Sequence, residues 1–267
     1  MRTKVMGIVN VTPDSFSDGG QFFKPEEAIR RVRNLIADGA DIIDLGGEST
    51  RPGSVPIGWE EEWSRLEPVL RGLSPAETGT VPISVDTYHP ETARMAVATG
   101  ATIVNCVKEE AIPEMMAILR KNPKIELVIP FREGVCPPMD EGVCPHMDVR
   151  REAEDLAKDW DFDRLYLDPM IGFGTTREED LALLRSIPEL AKRGRVLVGA
   201  SRKRIVKKLA GDLDSPRLRR AGNQVGKNVG GNVAIAVWCA MQGASVVRVH
   251  DVKETVQALQ VVAALSA

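Results

Sequence analysis

Short apolar segments rich in valine and isoleucine alternate along the chain with longer segments whose apolar residues recur every three or four positions. The short segments are typical of buried parallel strands, and the longer ones are typical of amphipathic helices. A strand is predicted at each of residues 5–11, 42–45, 83–86, 103–107, 125–130, 165–168, 196–199 and 246–250, and each is followed by a helical segment. This alternation favours an α/β fold built on a parallel sheet.

The number of strand–helix units indicates how the sheet closes. Eight units in 267 residues leave about 33 residues for each unit, as in a (β/α)8 TIM barrel. No linker-like segment divides the chain. We therefore predict one domain, a TIM barrel over residues 1–267.

Local signals predict where several helices begin and end. The first helix should begin at Pro25 and end near Gly39, since proline is common in the first turn of a helix and glycine is common just after its last residue. Two residue pairs have the spacing of a capping box, namely Thr176 with Glu179 and Asp251 with Glu254. Helices are therefore expected after the sixth and eighth strands.

Composition excludes several classes of function. Lys and Arg number 35 and Asp and Glu 38, a net charge of −3, which argues against a protein that neutralises nucleic-acid phosphates. No apolar run approaches the ~20 residues of a membrane span, and residues 1–11 lack the pattern of a signal peptide. The four cysteines lack the spacing of a disulfide framework. We expect a cytoplasmic protein with reduced thiols and with no nucleic-acid or membrane partner.

Two segments, 131–148 and 222–232, have no regular pattern. The first contains a tandem octapeptide, EGVCPPMD followed by EGVCPHMD. Loop duplication costs little closure entropy, so we interpret the repeat as a duplicated loop without function. A metal site formed by Cys136, Cys144 and His146 is the alternative, disfavoured because paired CxxC spacing is absent.

Polar residues lie at the C-terminal ends of the predicted strands, where barrel enzymes have their active sites. They are Asn10, Arg51, Asp86, Asn105, Asp168, Lys203, Arg248 and His250. Taken singly, several of them could cap a helix or satisfy a buried backbone group. Taken together, they predict one active-site mouth.

The cations among them predict an anion site. Arg248 and His250 alternate across Val249, which places both on one side of the eighth strand, near the usual phosphate position of barrels. Arg51 and Lys203 would complete a cluster large enough for a phosphate.

The acceptors predict a second, deeper site. Asp86, Asn105 and Asp168 would present two carboxylates and an amide, which suit a flat heterocycle with an amino group beside a ring N–H. The expected substrate therefore has a donor-rich ring at one end and a phosphate or pyrophosphate at the other, with cations at the rim and carboxylates deeper.

Several long motifs resemble one family. They are GIVNVTPDSFSDGG, DLGGESTRPG, ISVDT, TIVN, LDPMIGFG, SRK and AMQGASVVRVHDVKETV, and they run from the first strand to the C-terminus. The chain resembles the dihydropteroate synthases. The resemblance implies a Mg²⁺-assisted transferase of folate biosynthesis that joins 6-hydroxymethyl-7,8-dihydropterin pyrophosphate to p-aminobenzoate and releases pyrophosphate. It also implies a homodimer formed through outer helices, where Ile235, Val237 and Trp238 could serve as core or interface.

The resemblance implies a role for each matching residue. The pterin contacts would be Asp86, Asn105, Asp168 and Lys203. The pyrophosphate contacts would be Asn10, Arg248 and His250, with Asn10 beside Mg²⁺. The p-aminobenzoate pocket, where sulfonamides bind, would be walled by Phe16, Thr50, Arg51, Pro52 and Phe173. The implied catalytic residues are Asp86, Lys203, Arg248 and His250, acting while pyrophosphate leaves first and the arylamine attacks a pterin cation.

Some positions depart from the family pattern. The substituted residues are Cys106 for Asp, Met170 for Gly, Thr175 for Lys and Arg204 for Ser, and residues 130–133 (PFRE) replace the family's Met-His-Met type segment. Residues 106–110 and 130–148 are altered more widely, and residues 221–228 extend the chain. Two alternatives remain open: a non-catalytic or altered-specificity paralogue that binds a pterin or a partner protein, and a pterin-dependent methyltransferase. Retention of GGESTRPG, SRK and RVHDV counts against the methyltransferase.

Overall fold

The β-branched segments form eight parallel strands in a computed structural model, which describes residues 2–12, 24–49, 54–73, 78–131, 162–210 and 228–266. The strands are β1 Lys4–Asn10, β2 Ile42–Gly46, β3 Ile83–Asp86, β4 Ile103–Asn105, β5 Glu126–Pro130, β6 Leu165–Asp168, β7 Arg195–Val198 and β8 Val246–Val249. Each strand pairs with the next, and β8 pairs with β1, so the sheet is a closed barrel. The predicted TIM barrel is confirmed, whereas the single domain over 1–267 stays a prediction.

Helices follow the strands around the outside of the barrel. Those in the described residues are α1 Pro25–Ala37, α2 Trp59–Gly72, α3 Pro90–Ala98, α4 Ile112–Lys121, α5 Arg177–Arg185, α6 Ile187–Ala191, α7 Arg204–Ala210, α8 Val229–Met241 and α9 Val252–Leu265. The first begins at Pro25 and ends two residues before Gly39, as predicted. Its buried face is Ala28, Ile29, Val32 and Leu35.

The two predicted capping boxes have different outcomes. Thr176 and Glu179 form one at the start of α5, as predicted. The second was wrong, although α9 does begin directly after Asp251. The Asp251 carboxylate makes no cap because it binds Arg202 and Asn232 instead.

Apolar side chains from seven strands fill the middle of the barrel. This buried cluster comprises Met6, Ile42, Ile103, Val128, Tyr166, Leu197 and Val246. At the N-terminal end of the strands, Arg195 pairs with Glu126 at 2.6 Å and stacks 3.7 Å from the centroid of the Tyr166 ring. The filled lower half leaves the C-terminal mouth as the place for a ligand.

Some sequence predictions fall outside the described residues. They concern the tandem octapeptide, the metal-site alternative at Cys136, Cys144 and His146, and most of the 221–228 extension. Cys106 and Cys239 are buried free thiols. No helix in the described ranges is both long and apolar enough to cross a membrane.

Candidate active site

Arg248 lies at the centre of the polar cluster in the barrel mouth. Its Nε donates to Asp44 Oδ2 at 2.6 Å, and one terminal nitrogen donates to Asp86 Oδ2 at 2.7 Å. The Asp44 side chain is fully buried, and that of Arg248 is only 18% exposed. Arg248 is therefore not set apart from the carboxylates, although its side chain is more exposed than those of Asp44 and Asp86. The long Arg248 side chain reaches across the mouth to β2 and β3 and binds the carboxylates directly.

Neighbouring strands align the acceptor groups of the cluster. Gly46, Asp86 and Asn105 are in register across β2, β3 and β4. Asn105 Nδ2 donates to Asp44 Oδ2 at 3.3 Å. Among the described residues, one buried oxygen on each of Asp44, Asp86 and Asn105 has no hydrogen-bond partner. Buried acceptors without partners cost free energy, so the cluster is suited to a ligand rich in N–H donors.

Burial and pairing shift the ionisation of the charged side chains. Burial raises the pKa of Asp86 to about 7, while Arg248 opposes this rise and Asp44 adds to it. Burial lowers the pKa of Lys203 to about 8, against the opposing effect of Asp168. Burial also acts to lower the pKa of Arg248, but the Asp44 and Asp86 carboxylates raise it overall. Arg248 is therefore a permanent cation at the mouth.

Lys203 and the loop after β6 lie against one another. Lys203 Nζ donates to the carbonyl oxygen of Ile171 at 2.5 Å and lies 4.3 Å from the centroid of the Phe173 ring. Asp168 Oδ1 accepts from the backbone N–H of Met170 at 2.7 Å. The structure thus brings Asp168, Lys203 and Phe173 to one side of the mouth.

His250 contacts the loop that follows β7. Its Nδ1 lies 3.1 Å from Ser201 Oγ, and its backbone N–H donates to the same oxygen at 3.3 Å. Arg248, by contrast, binds carboxylates on β2 and β3. The predicted alternation does not extend to His250 because β8 ends at Val249.

The remaining predicted site residues divide into two groups. Asn10 is partly exposed at the end of β1, in register with Gly46. Outside the described residues lie Phe16, Thr50, Arg51 and Pro52. The described ranges hold no cluster of three or more His, Cys, Asp or Glu side chains that could bind a metal.

Comparison with known proteins identifies the family. The model of the pterin binding enzyme family matches residues 6–250. The dihydropteroate synthase of Escherichia coli strain K12 is 38% identical over 273 residues, which cover 97% of this chain and 90% of the relative. The chain belongs to the dihydropteroate synthase family.

Solved structures of the family have the same fold. The dihydropteroate synthase of Xanthomonas albilineans with 4-aminobenzoic acid matches with a TM-score of 0.81 and 38% identity, covering 100% of this chain and 94% of that one. The Yersinia pestis enzyme in a sulfonamide drug complex matches with a TM-score of 0.77 and 34% identity, covering 99% and 94%.

Sequence reasoning missed three buried carboxylates near this family's site. Asp44 interrupts the apolar strand IIDLG, and Glu62 lies one turn before Leu66 on the buried face of α2. A charged residue at an apolar position was the available signal for both. Glu48, whose carboxylate accepts from Tyr88 at 2.7 Å, had no such signal because it lies in a loop.

The structure shows the surroundings of three residues that depart from the family pattern. Burial raises the pKa of the Cys106 thiol to about 12, which favours the protonated form near neutral pH. Met170 has a φ of 59°, a conformation that favours glycine. Arg204 Nε lies 3.4 Å from Asp180 Oδ2, and its terminal nitrogen lies 3.4 Å from Thr175 Oγ1. Arg204 therefore contacts the loop that carries Phe173.

Proposed function

We propose that the protein is a dihydropteroate synthase, a transferase of folate biosynthesis. It joins 6-hydroxymethyl-7,8-dihydropterin pyrophosphate to p-aminobenzoate and releases pyrophosphate. The observation that carries this proposal is the set of buried acceptor oxygens on Asp44, Asp86 and Asn105 that have no partner among the described residues. It is supported by full-length relatives that carry this name.

The acceptors fit the pterin end of the donor substrate. A pterin presents an amino group and ring N–H groups on one edge, and a carboxylate accepts such parallel donors well. Asp86 and Asn105 lie side by side in the register of β3 and β4. We assign them, with Asp168 and Lys203, to the pterin.

The charges of the cluster support a dissociative substitution. The bond between the pterin methylene carbon and the pyrophosphate oxygen breaks with its electron pair on oxygen, and the carboxylates of Asp44 and Asp86 stabilise the positive pterin that remains. The amine nitrogen of p-aminobenzoate then forms the new bond to that carbon and loses a proton. No covalent enzyme intermediate is needed.

Arg248 and His250 are assigned to the leaving pyrophosphate. A guanidinium has five N–H donors, and the two ion pairs of Arg248 engage two of them. Arg248 can therefore hold the carboxylates and still donate to an anion. His250 adds a ring nitrogen at the end of β8.

A magnesium ion would fit beside Asn10. Mg²⁺ prefers oxygen ligands and commonly takes one or two from the protein and the others from substrate phosphates and water. The Asn10 side chain provides such an oxygen at the mouth, where it is partly exposed. When bound, the ion would neutralise charge on the pyrophosphate.

The acceptor pocket is assigned to the side of the mouth that holds Phe173. Phe173 lies against Lys203 and would form one wall. The other walls, on the family resemblance, are Phe16, Thr50, Arg51 and Pro52. The same pocket would bind sulfonamides, which compete with p-aminobenzoate.

The decisive experiment is turnover by the purified protein. With the pterin pyrophosphate, p-aminobenzoate and Mg²⁺, we expect stoichiometric release of pyrophosphate and formation of dihydropteroate. Pterin binding without product would contradict the proposal and favour the non-catalytic paralogue. Methyl transfer from a methylated pterin, again without dihydropteroate, would favour the methyltransferase.

A further inference from the structure

The loop between β7 and α7 contains a residue in an unfavourable backbone conformation. Arg202 has a φ of 61°, in the left-handed region that residues with a Cβ rarely adopt. Such a conformation persists only where surrounding contacts compensate for it. Arg202 lies between Ser201 and Lys203, so its conformation sets the direction in which both neighbours point.

Three residues, Arg202 among them, are joined pairwise by hydrogen bonds at this position. The backbone N–H of Arg202 donates to Asn232 Oδ1 at 2.9 Å, and its guanidinium donates to Asp251 Oδ1 at 2.6 Å. Asn232 Nδ2 donates to Asp251 Oδ2 at 2.8 Å. Asn232 and Asp251 are 3% and 9% exposed, so the bond between them is shielded from water, while the Arg202 side chain is 33% exposed. We call this set the Arg202–Asn232–Asp251 triangle.

The triangle joins three separate parts of the chain at the edge of the site. Asn232 lies on α8, and Asp251 lies between His250 and the first residue of α9. Asp251 uses both carboxylate oxygens in the triangle and makes no side-chain cap for α9. An N-cap normally stabilises its helix, so Asp251 stabilises the loop between β7 and α7 instead of its own helix.

We propose that Arg202, Asn232 and Asp251 are positioning residues that hold Lys203 and His250 in one relative geometry. The inference rests on the proposed function, since it concerns the anion end of that site. His250 directly precedes Asp251 in the chain, and its ring contacts Ser201, the residue before Arg202. Lys203 follows Arg202 and reaches the loop after β6. Loss of the triangle would leave both side chains in place but free to shift.

The test uses Asp251→Asn, which keeps the size of the side chain but removes its charge. We expect kcat/KM for the pterin pyrophosphate to fall about tenfold to a hundredfold, as for other small misplacements of reacting groups. Affinity for inorganic pyrophosphate with Mg²⁺, measured by calorimetry, should fall by at least about tenfold. The His250 imidazole signal in NMR spectra should move while that of His89 stays unchanged.

A second pair of variants tests whether the three residues act together. Arg202→Ala combined with Asp251→Ala should be no worse than Asp251→Ala alone, because the loss of Asp251 already removes the bond that the Arg202 guanidinium makes. Arg71→Ala is the matched control, since it removes an exposed ion pair with Glu67 on α2. We expect the control to leave pyrophosphate affinity and the His250 signal unchanged.

Unchanged pyrophosphate affinity and an unchanged His250 signal in Asp251→Asn would overturn the proposal. So would additive losses in the double variant. If Asp251→Asn fails to fold, Arg202→Lys, which keeps the charge but loses the planar fork, is judged by the same two measurements. The proposed function is tested separately, by whether the wild-type protein forms dihydropteroate at all.

Discussion

At the scale of single residues, Arg248 matters most for both the activity and the stability of the protein, because it is bound to two carboxylates that would otherwise repel each other. The pair with Asp44 joins residues 204 positions apart in the chain. Asp44 also receives a hydrogen bond from Asn105. A buried cation shared in this way links the electrostatics of the site to the stability of the barrel.

Replacement of Arg248 by alanine should therefore impair both turnover and stability. We expect dihydropteroate formation to be lost and the free energy of unfolding to fall by about 3 kcal/mol, since Asp44 and Asp86 would remain buried without their cation. Steady-state kinetics and urea denaturation measure the two effects. Arg248→Lys, which keeps the charge, should fall between alanine and wild type. Unchanged kinetics in the alanine variant would contradict the assignment to pyrophosphate.

Asp86 predicts how stability depends on pH. Its pKa is raised from 3.8 to about 7, first by burial, so the folded state holds a proton that the unfolded state has released. The contribution of Asp86 to stability is full below about pH 4 and is lost as the pH rises through about 7. Denaturation at several pH values should show this slope, and Asp86→Asn should flatten it. An identical slope in the variant would rule out Asp86 as its source.

At the scale of elements, the strands were predicted more accurately than the loops between them. The predicted starts of β3 and β6 agree with the structure, because dense β-branched and apolar residues bounded by polar ones are a local signal. The loop after β6 is held by side chains that lie outside it, on α5 and after β7. Asp180 accepts from Gly172 and Thr175, and Lys203 donates to Ile171.

Arg204 tests how this loop affects the acceptor pocket. Its guanidinium contacts Thr175 on the loop that carries Phe173, and Asp180 on α5. Arg204→Ser should change the KM for p-aminobenzoate or the inhibition constant of a sulfonamide severalfold, with little change in the KM for the pterin. Lys207→Ser, on the same helix, serves as the control. If Arg204→Ser matched wild type for both ligands, Arg204 would have no part in acceptor binding.

At the scale of the whole molecule, the outer surface has an apolar groove of about 360 Å³ between α5, α7 and α8. Its lining includes Leu181, Val206 and Ile235. Trp238 in the groove is 38% exposed, and Met241, on the same helix, is 66% exposed. Exposed apolar patches of this kind commonly mark protein interfaces. We propose that this face forms the homodimer implied by the family resemblance.

A charged substitution in the groove tests the dimer. Trp238→Glu should shift the protein to monomer in sedimentation velocity experiments, since a buried unpaired carboxylate opposes association. Val261→Glu, at an exposed apolar residue on α9, is the matched control and should leave the dimer intact. A wild-type protein that stays monomeric at high concentration would show that this face does not form a dimer.

The sequence by itself determined the eight strands of the barrel and most of the strand-end residues at the mouth. Both follow from local patterns, and a closed parallel barrel necessarily gathers its strand ends. Only the tertiary structure decided which charges pair. Arg248 pairs with Asp44 and Asp86 because strand register and side-chain length bring residues that are distant in sequence together. Asp251 pairs with Arg202 instead of capping its own helix for the same reason. The spacing of these residues along the chain does not predict which of their charged groups are close in space.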